Sequence, residues 1–502
     1  MDEHNNLQIA YIKKLTNKSF NSTFSIAIDA NVNIKTILNT DCKILCEKVE
    51  CTNGKAIVSG KLVLKVTYVD TDNQTTTIQE SQSFSENLTD NSLTSNCFLN
   101  VLNNFSNCEI LSTDGVLKVD CKLIICPVMY LNLAFNNNLD LDDKCICKKS
   151  TLNTKSFSSF VNTSFDYTTN YEIKEKVNKI LCYSVHFTPT DYNAHENTIT
   201  VEGKLYTNLI YEATDNDETV IKEVCETFNV KSDVNADGVS AENELDLTFK
   251  AHSLNEQTEI EIEDDSSVIT VTNQIYVCGA SLNPVEIEIV KDLFCVEKEV
   301  ELSLTNREYV CSLEKTSLTE TVASETSLQK DEPAIDVVIS NTILNYEILN
   351  VYIKDENVYC EGLVYSNLIF IDENKNYGNK VMECPFVINT KHPSSEIKNG
   401  NVQLSVMDCK TRVKRGIVIE IEYTLQISYC NLTSNSEEIV STIIFGKQLD
   451  FSMYDYQIFI AKPGETKCDI CKRIKTFPDE LNKLNPNLPD IFEGGEKIII
   501  KR

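Results

Sequence analysis

The residues with chemistry to offer are cysteines, histidines and carboxylates. Twenty cysteines are spread over 502 residues, with close spacings at Cys42, Cys46 and Cys51, at Cys121 and Cys126, at Cys145 and Cys147, and at Cys468 and Cys471. The last of these, Cys468-Asp-Ile-Cys471, has the spacing of a thiol redox pair. A zinc site needs four convergent ligands, usually two close pairs, and the five histidines (His4, His186, His195, His252 and His392) are scattered singly, so no ligand set is legible. The cysteines read instead as small apolar residues on strands, present as thiols in the working protein. Carboxylate pairs such as Asp142-Asp143 and Asp264-Asp265 have the type needed for acid–base work. Among 75 acidic residues such pairs arise from composition alone, and they read as solvated surface. No nucleophile elbow, phosphate loop or His-Glu-x-x-His zinc helix occurs. The expectation is a non-enzymatic binding protein without cofactor or metal.

The elements that would position binding residues come in several domains, because 502 residues exceed one hydrophobic core. Only 14 glycines and 10 prolines exclude collagen-like and Gly/Pro low-complexity architectures. The net charge of -29 disfavours nucleic acid and anionic membrane surfaces, which are bound through Lys and Arg. The first fifteen residues lack the apolar stretch of a secretory signal, and no apolar run approaches the roughly 20 residues that span a bilayer. A soluble protein that stays in the compartment of its synthesis is expected.

A domain-sized repeat is present. Val58-Ser-Gly60-Lys-Leu-Val-Leu-Lys-Val-Thr-Tyr68 matches Val201-Glu-Gly203-Lys-Leu-Tyr-Thr-Asn-Leu-Ile-Tyr211 and Cys360-Glu-Gly362-Leu-Val-Tyr-Ser-Asn-Leu-Ile-Phe370. An Ile-Leu pair precedes each copy (Ile37-Leu38, Ile180-Leu181, Ile343-Leu344), and a phenylalanine follows (Phe84, Phe228, Phe386). A further apolar strand starts near Val116, Ile269 and Ile417. Within the copies the period is two: Val58, Gly60, Leu62, Leu64, Val66 and Tyr68 share one face, and Ile417 to Tyr429 alternates with Glu, Thr, Gln and Ser. One-sided strands of this length predict antiparallel sheets, since parallel sheets bury both faces. The glycine marks a bulge or a close backbone approach. Polar runs beginning at Asp70, Asp215 and Asp372 predict hairpin turns, and Lys315 to Asp336 reads as an exposed stretch.

These copies resemble the SPOCS domains of clostridial spore coat morphogenetic proteins of the SipL family. The fold expected is mainly β: three repeated antiparallel sandwich- or barrel-like domains at 1–150, 151–314 and 315–450, then a small α+β module at 455–502. That module is near neutral, with nine basic against eight acidic residues. Pro463-Gly464 breaks a strand, Thr466 caps a helix with Cys468, Ile470, Cys471 and Ile474 on one face, and Pro478 opens a second helix with Leu481 and Leu484 inward. Lys497 to Lys501 closes it. The expected core is Ile458, Ile460, Ile470, Ile474, Leu481, Leu484, Ile498 and Ile500.

Pro-Gly-Glu-Thr, Leu-Asn-Lys-Leu-Asn-Pro-Asn-Leu and Glu-Gly-Gly-Glu-Lys-Ile-Ile-Ile in this order resemble a LysM domain along all of 455–502. The resemblance implies a groove between Gly464, Glu465, Thr466 and Lys467 on one side and Pro486, Asn487, Leu488 and Ile491 on the other. It also implies that Cys468 and Cys471 pack on the first helix. LysM grooves take N-acetylglucosamine glycans, but Lys467 stands where Leu is usual and Cys468 where an aromatic is frequent, which depletes the platform for a sugar ring. The SipL resemblance implies a protein ligand instead, the coat ATPase SpoIVA, with other coat proteins as partners. It places the chain in the mother-cell cytoplasm, recruited to the forespore surface. The alternative is a peptidoglycan-binding attachment protein. Leu488, Ile491 and Phe492 are expected to form an exposed apolar edge on an autonomous module.

Overall fold

The structure is a computed structural model that describes residues 7–14, 20–91, 93, 95, 97–110, 115–135, 144–215, 218–263, 266–355, 357–391, 401–449 and 456–501. His4, His392, Asp142, Asp143, Asp264 and Asp265 lie outside these residues. No helix among the described residues is long and apolar enough to cross a membrane.

Antiparallel strands dominate, as the period-two pattern requires. The second unit shows the plan most plainly: β8 (Cys145–Ile173), β9 (Lys176–His195), β10 (Thr198–Asp215), β11 (Glu218–Asn235), β12 (Glu244–Glu263) and β13 (Ser266–Cys295). Strands β9, β10 and β11 form a meander with β10 central, and β13 lies between β8 and β12 in a second sheet. The third unit repeats this order with β14 (Lys298–Ser327), β15 (Ile335–Lys354), β16 (Asn357–Asp372), β17 (Tyr377–Lys391), β18 (Asn401–Lys414) and β19 (Val418–Gln448). In the first unit the opening strand is divided into β1 (Leu7–Lys14) and β2 (Phe20–Asp29). Both pair with β7 (Val116–Phe135), which also pairs with β6 (Cys97–Ile110). The first meander is β3 (Ile34–Thr52), β4 (Lys55–Asp70) and β5 (Thr75–Thr89).

Each unit buries the facing sides of its two sheets against each other. Val58, Leu62, Leu64 and Val66 meet Leu117, Val119 and Leu123 in the first core. In the third, Val364 and Leu368 meet Ile419, Ile421, Tyr423 and Leu425. At roughly 1.5 to 3 kcal/mol per fully buried side chain, these inner faces fix the register, because a slip of one residue would expose the whole row.

The repeated glycines all lie on the central meander strands β4, β10 and β16, next to register shifts on the preceding strand. A Cβ at Gly60 would run into the Leu45 carbonyl oxygen, at Gly203 into the Phe187 ring and Thr188 carbonyl, and at Gly362 into the Glu347 carbonyl. Phe84 and Phe386 sit directly opposite Gly60 and Gly362. In the second unit the partner of Gly203 is Val230, and Phe228 stands opposite Leu205. The Asp70 and Asp372 carboxylates close their hairpins alike, each accepting two backbone N–H bonds at 2.8–2.9 Å across the turn. Lys315 to Asp336, expected as an exposed stretch, is exposed or half-buried over most of its length but has regular structure: residues up to Ser327 continue β14, paired with β19. Its Ser and Thr alternate with Leu318 and Val322, which pack on the third core, so the segment is an edge strand with a polar outer face.

The three units close into a ring. Leu38 and Val69 of the first, Leu181, Cys182, Ile210 and Ile221 of the second, and Ile369 of the third form one buried cluster at its centre. Beside it a polar chamber of about 70 Å³ is lined by β3, β9 and β15. The outer halves of β8/β13 and β14/β19 also pack together, through Leu152, Ile287 and Ile289 against Tyr309 and Ile439, and β1 runs alongside β8 and β14.

Candidate functional site

The C-terminal module consists of β20 (Tyr456–Ile460), α1 (Lys467–Ile474), α2 (Pro478–Leu484) and β21 (Lys497–Lys501), with β20 and β21 antiparallel. Thr466 caps α1 in a complete capping box: its Oγ1 accepts from the Asp469 N–H at 3.2 Å, and the Asp469 carboxylate accepts from the Thr466 N–H at 2.9 Å. These bonds hold the Asp469 carboxyl below its usual range. Asn485 joins the end of α2 to β21, donating to the Leu481 and Ile499 carbonyls and accepting from the Ile499 N–H at 2.6 Å.

Ile470, Cys471, Ile474, Leu481, Phe492, Ile498 and Ile500 form the core. Three expectations are corrected here. Leu484, expected to point inward from α2, is half-buried and outside this core, and Leu481 is the buried residue of that helix. Ile458 and Ile460 are 68% and 59% exposed, because the inward residue of β20 is Phe459, one place out of the expected phase. Phe492 is buried and offers no exposed edge. The core also takes in Phe294 from β13, with Ile146 and Val296 beside it, so the module is seated on the end of the second unit. Lys472 adds an ion pair to Asp292 at 2.6–2.7 Å.

Of the residues expected to line a groove, Gly464 to Lys467 lie beside the segment 490–492. Gly464, at φ +80, donates its N–H to the Phe492 carbonyl at 2.8 Å, the Phe492 N–H donates to the Glu465 carbonyl at 2.9 Å, and Thr466 bridges Ile491. Lys467 pairs with Asp490 at 3.0 Å across the cleft. The Glu465 carboxylate is engaged inward, by the Lys462 N–H at 2.7 Å and Arg473 at 2.8 Å. Asn487 holds φ +73, Pro486 is exposed, Leu488 is half-buried, and Ile491 is 64% exposed. The cleft thus presents an apolar side chain beside polar groups already paired with one another. Burial raises the Cys468 thiol and pushes the Cys471 thiol up to about 12, opposite to what a reactive thiolate needs.

Residues 33–125 match the family model described as SipL, SPOCS domain. The match runs from β3 into β7 and carries Gly60, Tyr68 and Phe84. It supports a sporulation protein of the SipL kind. No curated protein and no solved structure matches the chain.

One grouping was not legible in the sequence. At the seam of the first and second units Lys43 donates to Ser253 at 2.9 Å and pairs with Asp41 at 3.3 Å. His186 and His252 both feel the Asp41 charge, and burial lowers the pKa of each, to about 4 for His252. Among the described residues no group of three or more metal-ligating side chains converges.

Proposed function

We propose that this chain is a non-enzymatic spore coat morphogenetic scaffold. It is made in the mother cell, is recruited to the forespore surface, and binds a SpoIVA-type coat ATPase through its 455–502 module, read as a LysM domain. The carrying observation is the SipL, SPOCS domain match on 33–125. The chemistry of this face favours a protein over a glycan: Glu465 and Lys467 are tied up in ion pairs, while Ile491, bridged to Thr466, stands exposed. A sugar needs free hydrogen-bonding groups and an aromatic platform, whereas an exposed aliphatic beside paired charges suits a small protein contact.

The test uses the full chain and a purified SpoIVA-type ATPase. Binding that is lost in Ile491→Asp, with the melting profile unchanged, is the expected result. Absence of binding to the ATPase, together with sedimentation of the chain with purified peptidoglycan or micromolar binding of chito-oligosaccharides, would overturn the reading in favour of a glycan attachment protein.

A further inference from the structure

Two of the exposed apolar surfaces outside the 464–467 and 486–491 segments differ in their charged surroundings. The first is the outer side of the β20–β21 sheet, where Ile458 faces Ile499 between the pairs Tyr456–Lys501 and Ile460–Lys497. Tyr456 is 66% and Ile499 44% exposed, and neither strand contains an acidic residue. The second is the solvent side of the β15–β16–β17 sheet. Tyr352 and Tyr359 stack there with centroids 5.2 Å apart, the Tyr352 hydroxyl donates to Glu361 at 2.6 Å, and Leu349 and Val387 are 59% and 56% exposed. Glu347 and Glu383 flank Tyr365 on the same side, and Lys354 lies at the hairpin end. The matching faces of the other units carry lysines at their centre: β4 presents Ile57, Ser59, Lys61, Val63 and Lys65, and β10 presents Thr200, Glu202, Lys204, Tyr206 and Asn208, whereas β16 presents Tyr359, Glu361, Leu363 and Tyr365.

We propose that these two surfaces are the halves of one heterologous contact, in which the C-terminal sheet of one copy docks on the third unit of the next. The argument is complementarity: an apolar centre edged by Lys497 and Lys501 meets an apolar centre edged by Glu347, Glu361 and Glu383. Copies of a chain with net charge -29 repel one another over most of their surface, and the near-neutral module is the part that can approach an acidic face. Both surfaces are exposed among the described residues, so no described part of the same molecule covers either one. A contact between two different patches propagates, giving an open chain of copies or a closed ring rather than a twofold dimer. The proposal does not depend on the partner of the cleft.

Sedimentation equilibrium of the full chain tests it by charge exchange. The wild type is expected to gain mass beyond one chain as concentration rises. Lys497→Glu with Lys501→Glu, and separately Glu361→Lys with Glu383→Lys, should each weaken association by about tenfold or more. The four substitutions combined in one chain should recover it to within about threefold of wild type. These are surface changes, and unaltered thermal melts verify folding. A wild type that stays a single chain up to about 200 μM, a concentration at which even a weak specific contact is populated, overturns the proposal. So does a combined variant that fails to reassemble.

Discussion

The seams within the ring and the seam under the C-terminal module are built differently. In the ring, buried side chains bond to a neighbour's backbone: Thr67 Oγ1 donates to the Leu181 carbonyl at 2.9 Å, and Asn367 Nδ2 to the Leu38 carbonyl at 2.6 Å. These carbonyls belong to the Ile-Leu pairs of the repeat, and the leucines themselves fill the centre. Among the described residues the module instead rests on Phe294, with the partly buried Ile146 and Val296 beside it, and on the half-exposed Lys472–Asp292 ion pair. A buried seam with satisfied polar groups resists the loss of any one contact, while a seam centred on one fully buried side chain depends more heavily on it.

The largest effect expected is from breaking the ring's own framework. Gly362→Val places side-chain atoms against the Glu347 carbonyl and the Phe386 ring, and backbone cannot yield as a flexible side chain does. A loss of about 4 kcal/mol or more is expected, at the upper end of overpacking costs. Denaturant unfolding should show it, and a variant as stable as wild type would contradict the close-approach account of the repeat.

Phe294→Ala attacks the other seam and should cost the module about 3 to 4 kcal/mol, the usual range for deleting a buried phenylalanine. Hydrogen exchange would locate the change: amides of α1, α2 and β21 exchange faster, while those of β4, β10 and β16 are unaffected. Equal acceleration throughout the ring would show that the two seams are one cooperative unit.

The seam of the first and second units carries a pH dependence of its own. His252 has its pKa lowered from 6.5 to about 4, first by burial and then by Lys43 and Lys250, with Asp41 opposing. Its neutral form therefore favours the folded state. That contribution is complete above pH 6.5, is lost as pH falls toward 4, and amounts to about 3 kcal/mol at most. His186 shifts in the same direction. Denaturation midpoints measured from pH 7 to 4 should fall less steeply in His252→Gln than in wild type.

How much of this was legible in the sequence follows from what period-two patterns encode. The inner faces of β4 and β19 were readable because apolar residues recur at every second position, and Ile419, Ile421, Tyr423, Leu425 and Ile427 are all inside, whereas the burial of Thr67, Val69 and Gln426 on the other face comes from neighbouring elements and breaks the alternation. The cap at Thr466 and the start of α2 at Pro478 were readable because each is decided within four residues. The phase of β20 was not, since Tyr-Gln-Ile-Phe-Ile is apolar on both faces and only the helices above it determine that Phe459 points inward. Phe294 as part of the module's core depends on a contact between residues far apart in the chain, and no local pattern records it. The same holds for Lys43, His186 and His252, which sit on three strands of two units.

The smallest effect isolates local from tertiary stabilisation at the module. Thr466→Ala removes the Oγ1 acceptor for the Asp469 N–H and the hydroxyl that donates to the Asp469 carboxylate at 2.6 Å. Loss of such a cap costs about 1 kcal/mol, well below the loss of Phe294. The Asp469 carboxyl is held low chiefly by the Thr466 side chain and then by its backbone N–H. The stability this gives is present above the unfolded carboxyl pKa and disappears as pH falls through the lowered folded value. In Thr466→Ala the carboxyl should titrate closer to its ordinary value, and the module should show a weaker acid dependence as pH falls below the ordinary carboxylate range. An NMR titration of the Asp469 carboxyl in both proteins measures this directly. An unshifted titration in the variant would mean that Lys148 and Lys472, the remaining positive neighbours, hold the carboxylate instead. Lys472 is the residue that ties α1 to Asp292, so that outcome would move the origin of the helix's acid stability from its own cap to the seam with the second unit.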